Sequence, residues 1–176
     1  NARACAIVSS GDPGIYAMAG LVLETCKLKE IPIASPATCV REANADDVLM
    51  VEIVPGIPAL SAGASLLGAP LTHDFAAISL SDLLTPWKVI EQRLEAAAGA
   101  DFVIVLYNPK SRKRSWQLKA AQKIILKYRS KDTPVGIVVA AMRDNQQVRL
   151  TRLEDLHREY VDMQTTVFIG SQASSR

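Results

Sequence analysis

The chain has 176 residues, of which 49% are hydrophobic and 22% are charged, a composition that indicates a folded globular protein and excludes an intrinsically disordered one. Its 20 Lys and Arg residues against 18 Asp and Glu residues leave a formal net charge of +2, which is too small to indicate nucleic acid or an acidic membrane as the partner. No apolar run is long enough for a membrane-spanning helix.

The three cysteines, Cys5, Cys26 and Cys39, are odd in number and widely spaced. They form no CxxC pair and no Cys/His ligand pattern, so neither a disulfide scaffold nor a zinc site is predicted. This cysteine usage favours a protein of the reducing cytoplasm, with no bound metal.

The first part of the chain reads as two strand–loop–helix units. Short apolar runs at residues 4–8 and 49–54 each end in turn-forming residues, and helical patterns follow at residues 15–27 and 59–67. Between the two units, residues 28–47 have no clean period and predict an irregular excursion.

The second part continues the alternation. Strands are predicted at residues 76–80, 101–107, 135–140, 148–151 and 165–170, and helices at residues 112–129 and 153–160. A further helix opens at Pro86 with Ile90, Leu94 and Ala98 on one face, and the helix 112–129 stacks Trp116, Ala120, Ile124 and Tyr128. This repeated pattern predicts an α/β fold with a first domain at 1–70, a hinge at 70–74 and a second domain at 75–176.

Three loops that follow predicted strands are candidate binding sites: residues 9–14 (SSGDPG), 54–59 (VPGIPA) and 106–109 (LYNP). Ligands of α/β proteins bind beyond the carboxyl ends of strands, where backbone amides and helix N-termini converge. Asp12 could accept hydrogen bonds from a ribose or an amine, or it could merely cap the next helix. Each loop alone is more typical of a plain turn; together they indicate a small-molecule cleft.

Acid–base candidates cluster near the predicted hinge: His73, Asp74, Ser81 and Asp82. A His-Asp pair suits proton transfer, but adjacent residues on a strand usually point apart. No third partner can be assigned, so a hydrolase triad is not supported, and His73 is more typical of a structural residue.

The segment 110–131 carries nine Lys or Arg residues and no acidic residue. Lys119, Lys123 and Lys127 recur at helical spacing, which predicts a solvated helix face. Arg112, Lys113 and Arg114 follow the Asn108 turn directly, where they could meet an anionic ligand.

Several of these motifs together resemble the tetrapyrrole (corrin/porphyrin) methylases. The resemblance lies in SSGDPGIYAMAGLVLE, VPGIPALSAGASLLGAPLTHDFAAISLSDLLTPWKVIEQRL, DFVIVLYNPKS, TPVGIVVAAMRD and TTVFIG. Within the second of these, HDFAAISLSDLLTPW is most similar to the precorrin-3B C(17)-methyltransferases. The resemblance to the family covers nearly the whole chain, with the exception of residues 28–47.

The resemblance implies a two-domain α/β tetrapyrrole methylase fold with S-adenosylmethionine bound in a cleft between the domains. It implies methyl transfer to carbon 17 of a precorrin-3B-type tetrapyrrole, with ring contraction, in a cytoplasmic homodimer that makes vitamin B12. Ring contraction needs proton transfer, for which His73, Asp74, Ser81 and Asp82 are the candidates, and Arg112, Lys113 and Arg114 would meet substrate carboxylates. The implied cofactor contacts are Ser10, Gly11, Asp12, Ile15, Pro58, Ala59, Asn108, Ala141 and Thr166.

Two departures from the family pattern are visible. Pro58 stands where many relatives carry Thr or Ser, so a hydroxyl contact to the cofactor would be missing. Family members begin with a strand and a Gly-Pro-Gly loop that have no counterpart here, so we expect an incomplete N-terminal domain and a chain that folds but does not turn over by itself. The alternatives are another methylase of the same fold and a non-catalytic remnant that binds tetrapyrrole.

Overall fold

The computed structural model describes residues 4–35, 48–111 and 115–175. The chain forms two compact units, unit 1 at residues 1–58 and unit 2 at residues 59–176. Helices and strands alternate through most of the chain, so the predicted α/β class is confirmed.

Unit 1 contains helix α1 (Met18–Leu28) and two short strands, β1 (Ile33–Ala34) and β2 (Leu49–Met50), which pair in parallel. The helix predicted at residues 15–27 is confirmed, but it begins three residues late. The reason is Tyr16, whose φ of 52° lies in the left-handed region, and a right-handed helix can begin only after such a residue.

The strand predicted at residues 4–8 is wrong, because that segment has no strand conformation and leaves Val8 92% exposed. An apolar run becomes a strand only where another strand completes its hydrogen bonds, and none of the described residues does so here. The strand predicted at 49–54 is correspondingly short, since its two-residue partner β1 offers bonds only from Leu49 to Val51.

Unit 2 is built on a five-stranded mixed sheet in the order β3-β4-β7-β5-β6. Strands β3 and β4 are parallel, and the other neighbouring pairs are antiparallel. All five predicted strands are confirmed, with ends shifted by one or two residues. The elements are α2 (Ala59–Leu66), β3 (Phe75–Ser79), α3 (Trp87–Gly99), β4 (Val103–Tyr107), α4 (Gln117–Ile125), β5 (Pro134–Val139), β6 (Gln147–Arg152), a 3₁₀ helix (Leu153–Arg158), β7 (Thr165–Ile169) and a second 3₁₀ helix (Gln172–Ser175).

The sheet of unit 2 is covered on both faces. In β4, Ile104 and Leu106 belong to the larger core, which they share with Ile90 and Leu94 of α3. Val105 points to the other face, into a small cluster with Phe168 and residues of α2. Successive strand residues alternate between faces, so the continuous apolar run of β4 reflects burial on both sides.

Helix α2 packs closely on strand β7. At Gly63 an added Cβ would lie 2.7 Å from the ring of Phe168, so only glycine allows this approach. The compact units divide between Pro58 and Ala59, whereas the sequence pattern predicted a first domain at 1–70, which includes α2, and a hinge at 70–74.

The long helix predicted at residues 112–129 is wrong in length, since α4 spans Gln117–Ile125 and residues 112–114 lie outside the described part of the chain. The predicted face is buried only in its middle, because Ile124 belongs to the core whereas Trp116 and Tyr128 are 50% and 47% exposed. The buried face is broader than predicted and also includes Leu118, Ala121 and Ile125. The helix predicted at 153–160 forms as the tighter 3₁₀ helix.

Candidate functional site

Asp12 ties two loops of unit 1 together. Its Oδ1 accepts a hydrogen bond of 2.8 Å from the Gly14 N–H, and its Oδ2 accepts one of 3.0 Å from the Gly56 N–H. The structure therefore brings together the loops at residues 9–14 and 54–58, although the strand predicted before the first of them does not form. We call this pair of bonds the Asp12 clamp.

Two glycines permit the clamp. Gly11 has a φ of 77°, a left-handed conformation that glycine adopts without strain. A Cβ on Gly56 would lie 2.2 Å from the Gly11 carbonyl oxygen, so the two backbones approach more closely than any side chain would allow. The glycines of both motifs are thus required by the contact between the loops.

Asp12 does not cap the next helix, which was the alternative left open by the sequence. Helix α1 begins at Met18, and its N-cap residue, Ala17, makes no side-chain capping bond. The carboxylate instead bonds locally to Gly14 and across 44 residues of chain to Gly56. Its role is to fix the shape of a loop.

The clamp should depend on pH. The bonds from the Gly56 and Gly14 amides lower the pKa of Asp12 below its ordinary value of 3.8, because they stabilise the ionised form. A lowered folded-state pKa means that the contribution to stability is complete above the ordinary value and is lost as the pH falls through the folded-state pKa. In an NMR titration, the Gly56 and Gly14 amide shifts should therefore change together below pH 3.8.

Asp12→Asn is the matched control for this titration. The amide keeps one acceptor oxygen, so it can serve one of the two N–H donors but not both, and it does not ionise. The acid-induced change at both glycines should disappear in this variant. If the pH-dependent change in the glycine amide shifts persists in Asp12→Asn, it arises from a titrating group other than Asp12.

In unit 2 three predicted cofactor contacts lie at one end of the sheet. Asn108 directly follows β4, Ala141 follows β5, and Thr166 pairs with Val138 near the start of the antiparallel β7. We call this the carboxyl end of the sheet, since β3, β4 and β5 all finish there. Thr166 is buried, whereas Asn108 and Ala141 are half-buried. The topology thus gathers residues that are far apart in sequence.

Ser79 was missed by the sequence analysis although it organises this end of the sheet. Its hydroxyl oxygen accepts bonds from Asn108 Nδ2 at 2.9 Å and from the Ser81 N–H at 3.2 Å. It thereby fixes both the Asn108 turn, where φ is 52°, and the loop after β3. The sequence signal for Ser79 was a hydroxyl residue near the end of a predicted strand, in ISLSD.

The four acid–base candidates do not form one cluster. His73 and Asp74 are exposed and precede β3, while Ser81 and Asp82 follow it. The five-residue strand separates the pairs by roughly 17 Å at about 3.3 Å per residue. Asp82 accepts a hydrogen bond of 3.1 Å from Nε2 of Gln117, a buried residue at the start of α4.

The basic segment is described only in part. Arg112, Lys113 and Arg114 lie outside the described residues, whereas Lys119, Lys123 and Lys127 are exposed on α4 and just beyond it. The prediction of a solvated face for these three lysines is confirmed. Within the described ranges, no group of three or more His, Cys, Asp or Glu residues could hold a metal ion.

In the described ranges, no helix is both long enough and apolar enough to cross a bilayer. Cys26 is buried and Cys5 exposed, and both carry free thiols.

Comparisons with known proteins agree with the motifs and the fold. The chain is 48% identical over 172 residues to the cobalt-factor III methyltransferase of Priestia megaterium, covering 98% of this chain and 30% of that protein. It is 46% identical over 169 residues to the probable cobalt-factor III C(17)-methyltransferase of Salmonella typhimurium, covering 96% of this chain and 64% of that protein.

Among solved structures, the methyltransferase CobJ superimposes with a TM-score of 0.79 at 34% identity, covering 94% of this chain and 63% of that one. The chain therefore spans less than two thirds of each of these proteins. The family model of the Tetrapyrrole (Corrin/Porphyrin) Methylases matches residues 1–157, which is most of the sequence. With the α/β architecture and the CobJ superposition, this match establishes that the chain belongs to the tetrapyrrole (corrin/porphyrin) methylase family.

Proposed function

We propose that the protein transfers a methyl group from S-adenosylmethionine to carbon 17 of a precorrin-3B or cobalt-factor III type tetrapyrrole, with ring contraction, in vitamin B12 synthesis. The observation that carries this proposal is the 48% and 46% identity, over nearly the whole chain, to two enzymes named for methylation of cobalt-factor III. The CobJ superposition supports the same assignment at the level of structure.

The clamped loops of unit 1 suit such a cofactor chemically. They offer exposed backbone groups at Gly11 and the Ser10 hydroxyl, next to the apolar side chains of Ile15 and Ile57, which are 36% and 71% exposed. S-adenosylmethionine combines an amino acid and a ribose, which need hydrogen bonds, with a flat adenine, which needs apolar contact. Ser10, Gly11, Asp12, Ile15 and Pro58 are therefore the proposed contacts from unit 1.

From unit 2 the proposed contacts are Ala59, Asn108, Ala141 and Thr166. Asn108 and Thr166 have side chains that can donate and accept hydrogen bonds, and Ala59 opens helix α2. Pro58 has no N–H and no hydroxyl, so at that position only a carbonyl oxygen and the ring are available.

Positioning is the main task of these residues. When bound, S-adenosylmethionine supplies an electrophilic methyl group on a positively charged sulfur. The electron-rich macrocycle is its own nucleophile, so the protein gains most by holding the two reactants in alignment. Loops fixed by the Asp12 clamp and by Ser79 meet that need, because their backbone is already ordered before a ligand arrives.

Ring contraction also requires a proton to move, and a positioned acid or base would accelerate it. Asp82 is the strongest of the four candidates, since Gln117 orients its carboxylate and Ser81 lies beside it at the carboxyl end of the sheet. A role of His73 and Asp74 in proton transfer is still a prediction, and both residues lie at the opposite end of β3. Replacement of Asp82 by Asn should stop contraction without stopping methylation.

Arg112, Lys113 and Arg114 are proposed to bind the carboxylates of the tetrapyrrole. Replacing all three by Gln should raise the KM for tetrapyrrole and weaken its dependence on salt, because fewer charge contacts remain to be screened. The KM for S-adenosylmethionine should not change. Replacing Lys119, Lys123 and Lys127 by Gln provides the control, and equal effects in both triple variants would contradict selective recognition.

We further propose that the protein works as a cytoplasmic homodimer. Free thiols at Cys5 and Cys26 are compatible with a reducing compartment. Sedimentation equilibrium of the purified protein tests the dimer, and a single species of monomer mass would contradict it.

The decisive experiment uses the intact protein in which these 176 residues occur. It is incubated with S-adenosylmethionine and either precorrin-3B or cobalt-factor III, and the product is analysed by mass spectrometry and NMR. A gain of one methyl group, located at carbon 17, is the expected result. Methylation at another carbon would favour another methylase of the same fold, and tetrapyrrole binding without methylation would favour the non-catalytic alternative.

A further inference from the structure

Tyr107 connects the end of β4 to the start of α2. Its hydroxyl oxygen accepts a hydrogen bond of 2.8 Å from the backbone N–H of Leu60. Leu60 is the second residue of α2, directly after Ala59. The bond joins two residues 47 positions apart in sequence, and no motif in the sequence indicates it.

The first turn of a helix needs such a partner. Its first four N–H groups have no acceptor within the helix, so they are satisfied by side chains, water or a ligand. In α2 the sequence before the helix is Ile57-Pro58, which supplies no Ser, Thr, Asp or Asn as an N-cap. Tyr107 takes that role from outside the helix.

The remainder of α2 is held in a different way. Gly63 lies against the ring of Phe168 so closely that an added Cβ would approach it to 2.7 Å, and Ala64 is buried in the same cluster. The Tyr107 ring packs against this cluster as well. Apolar packing therefore anchors the middle of the helix, and the hydroxyl group anchors only its first turn.

We propose that Tyr107 is a positioning residue, whose hydroxyl holds the first turn of α2, and hence Ala59, in the conformation that binds the cofactor. This inference rests on the function proposed above, which makes Ala59 a contact of S-adenosylmethionine. Without the hydroxyl, the first turn frays in the free protein. The apparent affinity then falls in proportion to the fraction of molecules that keep the competent conformation.

Tyr107→Phe is the most conservative test of this effect, because phenylalanine keeps the ring and its packing and removes only the hydroxyl group. One hydrogen bond of ordinary strength corresponds to about a fivefold change in affinity. Calorimetry with S-adenosylhomocysteine should therefore give about fivefold weaker binding. In the methylation assay of the intact protein, the KM for S-adenosylmethionine should rise about fivefold, while kcat at saturating cofactor and the KM for tetrapyrrole should not change.

Tyr128→Phe is the matched control, since Tyr128 is 47% exposed and its hydroxyl makes no hydrogen bond to the residues that the structure describes. It should bind S-adenosylhomocysteine as the wild type does. If the wild type binds this ligand and Tyr107→Phe binds it equally well, the inference about Tyr107 is wrong while the proposed function stands. If the wild type does not bind it, the proposed function fails and the inference fails with it.

A second measurement needs no variant. In the free wild-type protein, hydrogen exchange of the Leu60 amide should already be slow, because the Tyr107 oxygen protects it before any ligand binds. Fast exchange at Leu60 that becomes slow only with S-adenosylhomocysteine would overturn the inference, since the ligand rather than Tyr107 would then order the turn.

Discussion

Gly56→Ala should weaken the binding of S-adenosylhomocysteine on the order of tenfold or more, because misplacement of a binding loop by about 1 Å is enough for such a loss. The new methyl group would lie 2.2 Å from the carbonyl oxygen of Gly11 and 3.0 Å from its carbonyl carbon. Both are backbone atoms, so no side chain can move aside and the two loops must separate. Separation breaks the bond from the Gly56 N–H to Asp12, and calorimetry measures the consequence.

Gly20→Ala is the matched control for this substitution. Gly20 lies in α1, and a Cβ there would have no heavy atom within 4 Å. Because a Cβ at Gly20 meets open space, this variant should bind S-adenosylhomocysteine normally. Its melting temperature should rise slightly, since alanine in a helix is more favourable than glycine by about 0.5–1 kcal/mol. Unchanged affinity in Gly56→Ala would show that the loop contact does not shape the cofactor site.

Asp101→Asn should lower the free energy of unfolding by about 2 kcal/mol, since it removes a charged hydrogen-bond partner, itself 40% exposed, from a buried cation. The Arg129 side chain is 2% exposed and pairs with Asp101. It also donates to the Phe102 carbonyl at 2.8 Å. Burial lowers the pKa of Arg129, and the charge of Asp101 opposes that shift.

Asparagine is the right replacement at this position. Asp101 has a φ of 62°, which asparagine tolerates better than most residues, so the charge is removed without new backbone strain. Glu95→Gln supplies the control, because Glu95 pairs with Lys127 where both side chains are about half exposed, and exposed pairs contribute little. Equal urea midpoints for the two variants would refute a structural role for the bond between Asp101 and the buried Arg129.

Periodicity in the sequence was sufficient for most of unit 2. The strand β4 and the helix α3, with Ile90, Leu94 and Ala98 buried, were predicted because their patterns are long and their burial is complete. The short strands of unit 1 were predicted poorly, since a strand of two residues depends on its partner rather than on its own composition.

The candidate loops were also visible in the sequence, because glycine, proline and aspartate mark turns wherever they occur. What each residue does in those loops was not visible. In the sequence, Asp12 was suited to a ligand contact or to a helix cap, and its bond to the Gly56 amide was predicted by neither interpretation.

Ser79, Tyr107 and Gln117 show the same limit more strongly. Each lies within an ordinary strand or helix pattern, and each acts through a partner at least 29 residues away. A sequence determines which residues are apolar, flexible or titratable, and from these properties it determined the α/β class and the turns. Only the tertiary structure decided which donors meet which acceptors, because a hydrogen bond depends on distances of a few tenths of an ångström that no local pattern encodes.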